Sequence, residues 1–217
     1  MLNQKLIELK KEILLFASLI ENMVSMDFKG LREKDGHLLK SVISEMEPKA
    51  NGKELEIDEL ATNLIALFQP EAKDLRTILS IIKINNDLER IGDLSVNVAE
   101  SSLYLIRNKI SVDLGKLKDI ENEILKMYKE SIEAFVNEDT KLAMSVLEVD
   151  SIIDKMEEKV IDFFINFMSK EPSFIKSTMH IIRIAHNLER IGDLCTNICE
   201  DVIYIKQGKI IRHNIKV

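Results

Sequence analysis

The chain has 217 residues, a formal net charge of −7, 46% hydrophobic residues, seven Gly, three Pro and no Trp. The acidic balance argues against nucleic acid as the main partner, because phosphate binding needs a basic surface. No apolar run approaches the roughly 20 residues that span a bilayer, the longest (14–20 and 163–168) being short and interrupted. Few turn formers and a large apolar fraction predict long elements around a packed core. With no secretory leader and only two Cys, too few for a disulfide framework, the expectation is a soluble cytoplasmic protein with at most peripheral membrane association.

In chain order, Leu6, Leu9, Ile13, Phe16, Ala17, Ile20, Met23 and Val24 recur at spacings of three and four, which predicts a helix over 2–26 that ends near 27–30. A second helical segment covers 31–68. Pro48 and Asn51-Gly52 interrupt it, at roughly 3 and 1 kcal/mol inside a helix, so propensity draws a break, with a continuous kinked helix as the competing reading. Gln69-Pro70 ends the segment. A third helix runs over 71–108, more than about 50 Å at 1.5 Å per residue. The second half repeats the plan, with helices over 114–136, 140–168 and 173–206. Asp113 is the expected N-cap of the first of these, and Gly208 the expected stop of the last. No segment alternates with period two. The fold class is all-α: two tandem antiparallel three-helix bundles, residues 1–108 and 113–217.

One stretch dictates this symmetry. Residues 81–100, IIKINNDLERIGDLSVNVAE, recur at 181–200 as IIRIAHNLERIGDLCTNICE, with twelve of twenty positions identical. Asn86, Glu89, Asp93, Asn97 and Glu100 are three or four apart and share one helix face, as do His186, Glu189, Asp193, Asn197 and Glu200. Like charges at i and i+4 are unfavourable on a helix, so a sequence that places them twice calls for a cation. Carboxylate and amide oxygens suit hard metals such as magnesium, manganese or iron. A second acidic face exists in each half: Asp150, Asp154 and Glu157, and Glu47, Asn51 and Glu54. Facing helix pairs would then join Asp150, Asp154, Glu189 and Asp193 in one site and Glu47, Asn51, Glu89 and Asp93 in the other. Asn97, Asn197, Glu157 and Glu54 are further candidates, and Asn51 lowers the charge of the first site. The bland alternative is that these acids pair with Arg or Lys on neighbouring helices.

Other residues carry two readings. Gly92 and Gly192 stand mid-helix, where either a neighbouring helix or an ion comes close. Arg90 and Arg190 are expected to pair across helices in a structural role. Cys195 and Cys199 correspond to Ser95 and Ala99, so packing is favoured over thiolate ligation. His186 is either an outer ligand or a structural histidine. No catalytic set appears: there is no Glu-x-x-His, no Ser/His/Asp group and no Gly-rich phosphate loop.

LERIGD followed by Asn and Glu, twice in a six-helix chain, resembles the PhoU family of phosphate-uptake regulators. Gln69-Pro70 leading through Asp74-Leu75-Arg76 is similar to that family's QPxAxDLR element, and the run from Asp201 through Gly208 to His213 to its EDVIY…GxxxRH ending. Glu89/Asp93, Glu189/Asp193 and Asp150/Asp154 match the family's metal motif, an acid followed four residues later by Asp; Glu47/Asn51 departs from it. The resemblance implies a helix continuous through Pro48. It also implies bound metal ions (iron, zinc, manganese or magnesium) and a cytoplasmic homodimer. The implied role is regulatory, not enzymatic: repression of uptake and starvation signalling through the phosphate transporter's ATPase subunit and a sensor histidine kinase. A carboxylate-bridged metalloenzyme acting on phosphoesters, a metal-free helical adaptor, and a regulator tied to a sodium–phosphate cotransporter are the alternatives.

Overall fold

The structure, a computed structural model, describes residues 1–109 and 114–211. The N-cap expected at Asp113 and the Arg212-His213 pair lie outside the described residues. Among these residues seven α-helices follow in order: α1 Leu2–Glu33, α2 Gly36–Ser41, α3 Glu47–Phe68, α4 Ala72–Arg107, α5 Gly115–Asn137, α6 Thr140–Lys170 and α7 Ile175–Gln207. A π-helical turn, Val42–Met46, joins α2 to α3, and a 3₁₀ turn, Pro172–Phe174, leads into α7. Among the described residues there is no strand.

The first turn differs from the sequence expectation. The opening helix runs past 27–30 to Glu33, because Phe28 and Leu31 are still core residues. Gly30 is a point of close approach and not a stop: a Cβ there would fall 2.7 Å from Leu39 Cγ. The true stop is Lys34, at φ 55°, whose N–H bonds back to the carbonyls of Gly30 and Leu31. Asp35 then caps the next helix, its carboxylate accepting from the N–H of His37 and Leu38 at 2.8 and 3.3 Å. The second helical segment thus begins at Gly36 and not at 31.

From Gly36 to Phe68 the chain is helical throughout, so no break occurs at Pro48 or Gly52. The π turn is the reason. A proline ring clashes with the carbonyl four residues before it. Here the turn ahead of Pro48 is widened, with the Glu47 N–H reaching Val42 O, five residues back. Gly52 is exposed with nothing within 4 Å of a built Cβ, so its cost is only the local loss of helix propensity.

Helices α1, α3 and α4 pack as one bundle and α5, α6 and α7 as another, with α4 and α7 lying along each other between them. The internal repeat extends to the packing. A Cβ on Gly92 would meet Ile20 at 3.1 Å, and one on Gly192 would meet Ile124 at 3.2 Å, so both glycines admit the first helix of their bundle. This favours the packing reading over an ion. Across the midline, Lys83 Nζ lies 3.0 Å from Asp201 Oδ1, and Arg183 Nη2 lies 3.4 Å from Glu100 Oε2. Residues of both halves join one continuous hydrophobic core.

Candidate metal-binding faces

The C-terminal face is built where α6 and α7 run antiparallel. Ile153, Val160 and Phe164 anchor α6, and Leu188, Ile191 and Cys195 anchor α7. That leaves the positions between them on the outer seam. Asp150, Asp154 and Glu157 come from α6; His186, Glu189 and Asp193 come from α7. His186 Nδ1 is 3.1 Å from Glu157 Oε1 and 3.7 Å from Glu189 Oε2. Donor atoms of Glu157, His186 and Glu189 all lie within 4.8 Å of one another.

The electrostatics show how tightly the acids are crowded. Burial, reinforced by Asp193, Glu157 and Asp154, pushes the Glu189 carboxyl up to about 7, against an opposing pull from His186. Burial followed by the charges of Asp193 and Asp154 pushes Asp150 up to about 6. Asp193 is also raised, by burial and then by Asp154, with Arg190 opposing. Glu189 Oε2 is buried without a hydrogen-bond partner among the described residues. A set of oxygen donors that resists ionisation is relieved either by protons or by a cation. The orphaned oxygen and the repelling carboxylates fit a hard divalent or trivalent ion, and the His186 imidazole extends the fit to zinc and iron.

The N-terminal face repeats this plan with fewer charges. Burial, then Asp93 and Glu54, raise the Glu89 carboxyl, with Arg90 opposing. Asn85, fully buried one turn before Glu89, donates from Nδ2 to the Glu54 carbonyl at 2.9 Å and fixes α3 against α4 at this point. Asn51 and Glu47 follow toward the start of α3 on the same face, the first exposed and the second half-buried. Asn86 stands where the other face has His186.

Several sequence candidates have different surroundings from those expected. Asn97 accepts a hydrogen bond from Arg183 Nη2, so it belongs to the contact between the halves. Asn197 is half-buried one turn beyond Asp193. Glu157, a secondary candidate, is the acid that His186 touches. Among the described residues Arg90 pairs with Asp87 on its own helix, at 3.6 Å, and not across helices. Cys195 and Cys199 are buried thiols, the first pushed up to about 12 by burial and the second raised likewise. They are packing residues. The charge pairs from position 83 to 201 and from 183 to 100 were not anticipated, although a basic residue at both 83 and 183 was a visible signal.

Comparison with known proteins agrees with this architecture. A family model described as the PhoU domain matches twice, over residues 13–102 and 117–202. A phosphate-specific transport system accessory protein PhoU homolog from Thermotoga maritima is 43% identical over 71% of this chain and 67% of its own length. The homolog from Pseudomonas aeruginosa is 34% identical over 97% of this chain and 87% of its own. A crystal structure of PhoU from P. aeruginosa superposes with a TM-score of 0.93 at 33% identity, covering 96% of this chain and all (100%) of that one. The phosphate transport system regulatory protein PhoU from Streptococcus pneumoniae gives 0.90 at 27% identity, covering 97% and 99%. The chain belongs to the PhoU family.

Proposed function

We propose that this PhoU-family chain is a cytoplasmic, non-catalytic regulator of phosphate homeostasis. In this reading it represses phosphate uptake and starvation signalling when phosphate is plentiful. Its partners are the ATPase subunit of the phosphate transporter and a sensor histidine kinase, and it works as a homodimer. The observation that carries this reading is the near full-length match to accessory proteins of the phosphate-specific transport system, from Pseudomonas aeruginosa, Escherichia coli and others. In support, no helix among the described residues is long and apolar enough to cross a membrane, so contact with a transporter would be made from its surface.

The acidic faces are the elements through which this role is exercised. Asp150, Asp154, Glu157, His186, Glu189 and Asp193 would hold metal on the C-terminal face, and Glu47, Asn51, Glu54, Glu89 and Asp93 on the N-terminal one. A bound ion supplies positive charge at a surface whose own side chains are negative. The carboxylates orient it on rigid helices, and His186 adds a nitrogen donor on the C-terminal face alone. That difference, with Asn51 in place of an acid, makes the C-terminal site the stronger.

The test is phosphate uptake in cells lacking the chain, together with binding of the purified ATPase subunit and the kinase's sensory domain to the metal-loaded protein. Raised uptake at high phosphate and binding of at least one partner are expected. Unchanged uptake with neither partner bound refutes the regulatory reading.

A further inference from the structure

The two acidic faces differ in one donor type, and the internal repeat holds the rest of the setting constant. On the C-terminal face His186 Nδ1 lies 3.1 Å from Glu157 Oε1 and 3.7 Å from Glu189 Oε2. Donors of these three residues all lie within 4.8 Å of one another. A tetrahedral ion with bonds of about 2.0–2.1 Å holds its donors about 3.3 Å apart. The two measured separations fall on either side of that edge. Glu189 Oε2, the oxygen that approaches the imidazole, has no hydrogen-bond partner among the described residues. The N-terminal counterparts are Glu54, Asn86 and Glu89. The 2.9 Å bond from Asn85 Nδ2 to the Glu54 carbonyl sets the turn of α3 that carries Glu54 against the turn of α4 that carries Asn86 and Glu89. Asn86 and His186 are both exposed, and Glu89 and Glu189 are both half-buried. The same scaffold therefore presents two carboxylates with an amide in one half and with an imidazole in the other.

We infer that His186 sorts metal between the faces: with Glu157 and Glu189 it tilts the C-terminal face toward Zn²⁺, whereas Glu54, Asn86 and Glu89 leave the N-terminal face to a hard ion such as Mn²⁺. The inference rests on the reading that both faces hold metal, and deepens it by naming the ion each prefers. An imidazole nitrogen is a borderline donor that suits zinc, while carboxylate and amide oxygens suit magnesium and manganese. Zinc binds more tightly than manganese to most sites of a given donor set, so the preference is the ratio of the two affinities, compared between faces. The ordinary alternative is a surface hydrogen bond between Glu157 and a His186 side chain that is 59% exposed. Such a bond would orient the imidazole without discriminating between ions.

The test is equilibrium dialysis of the full-length chain against Zn²⁺ and against Mn²⁺, with one face disabled at a time. Glu54→Gln/Glu89→Gln leaves the C-terminal face, and Glu157→Gln/Glu189→Gln leaves the N-terminal one. The zinc-over-manganese affinity ratio is expected to be at least tenfold larger on the C-terminal face. His186→Asn, which installs the residue the other half carries, should lower that ratio at least tenfold. Asn86→His should raise the N-terminal ratio by a similar factor. Zn²⁺ should also shift the imidazole NMR resonances that are missing from His186→Asn. Thermal melts without metal confirm that the variants fold. Equal ratios on the two faces, a ratio that His186→Asn or Asn86→His leaves unchanged, or His186 resonances unmoved by Zn²⁺ would overturn the inference while leaving metal binding in place. Failure of the C-terminal face to bind either ion would overturn the metal reading, and the inference with it.

Discussion

Lys83 on α4 and Asp201 on α7 form a 3.0 Å ion pair in which the carboxylate is almost fully buried, at 4% exposure. Arg183, the residue that repeats Lys83, makes the corresponding pair with Glu100 at 3.4 Å, where both partners are about half exposed. The two pairs are related by the internal repeat but differ in burial, and burial decides their worth. Lys83→Met leaves Asp201 less compensated in the core and should cost about 1–3 kcal/mol. Arg183→Met removes an exposed pair, worth about 0–1 kcal/mol. Urea denaturation of the two variants measures the difference; equal costs would mean that burial does not set the strength of this interface.

Two glycines should respond in opposite directions to the same change. Gly30→Ala places a methyl 2.7 Å from Leu39 Cγ, so the α1–α2 contact must open, at about 1–3 kcal/mol. Gly52→Ala meets nothing and should stabilise the protein by up to about 1 kcal/mol through helix propensity. Shifts in the urea midpoint read both.

The burial of Glu189 and the crowding of its neighbouring acids make a pH prediction for metal-free protein. The folded-state Glu189 carboxyl is raised to about 7, above its ordinary value near 4.5. Below the ordinary value both folded and unfolded states hold the proton, and nothing is lost. Between about 4.5 and 7 the unfolded state ionises while the folded state resists, so stability falls as pH rises. Discounted for solvent screening of this partly exposed group, the effect is on the order of 1 kcal/mol, or about 2–4 °C in Tm for a chain of this size. In chelator, Glu189→Gln should melt close to the parent at pH 5 and above it at pH 7.5. A gap of equal size at both pH values would show that neither burial nor the neighbouring carboxylates raise Glu189.

The two cysteines provide a check on the core. Both are buried with raised thiol pKa values, so neither should react with a thiol-specific reagent at pH 8 in the native state. Both should react after denaturation. Rapid native labelling would place one of them at the surface, against the packing described above.

Much of this architecture was legible in the sequence because the repeat is long and helical periodicity is sustained. The crowding of Asp150, Asp154, Glu189 and Asp193 was legible for the same reason: residues three or four apart share a helix face, and α6 packs along α7. What escaped the sequence depended on contacts between distant residues. Local propensity drew a break at Pro48, where the family resemblance implied a continuous helix; the helix persists, as the resemblance implied, because a π turn precedes it, which propensity does not encode. Gly30 looks like a terminator, but its place is dictated by Leu39. Arg90 was expected to cross helices, yet Asp87 is in reach on its own helix. Asn97 shares the stripe of Glu89 and Asp93, but Arg183 from the other half engages it.

The measurement that bears most directly on the central claim is metal binding by the purified chain. Calorimetric titration with Mn²⁺, Fe²⁺ and Zn²⁺, paired with elemental analysis, would be run on the parent, Asp154→Asn/Asp193→Asn and Asp93→Asn. The account predicts a tighter site lost in the double variant and a weaker one lost in Asp93→Asn, with the remaining site retained in each. Absence of binding in the parent, or binding that survives both sets of substitutions, would contradict it.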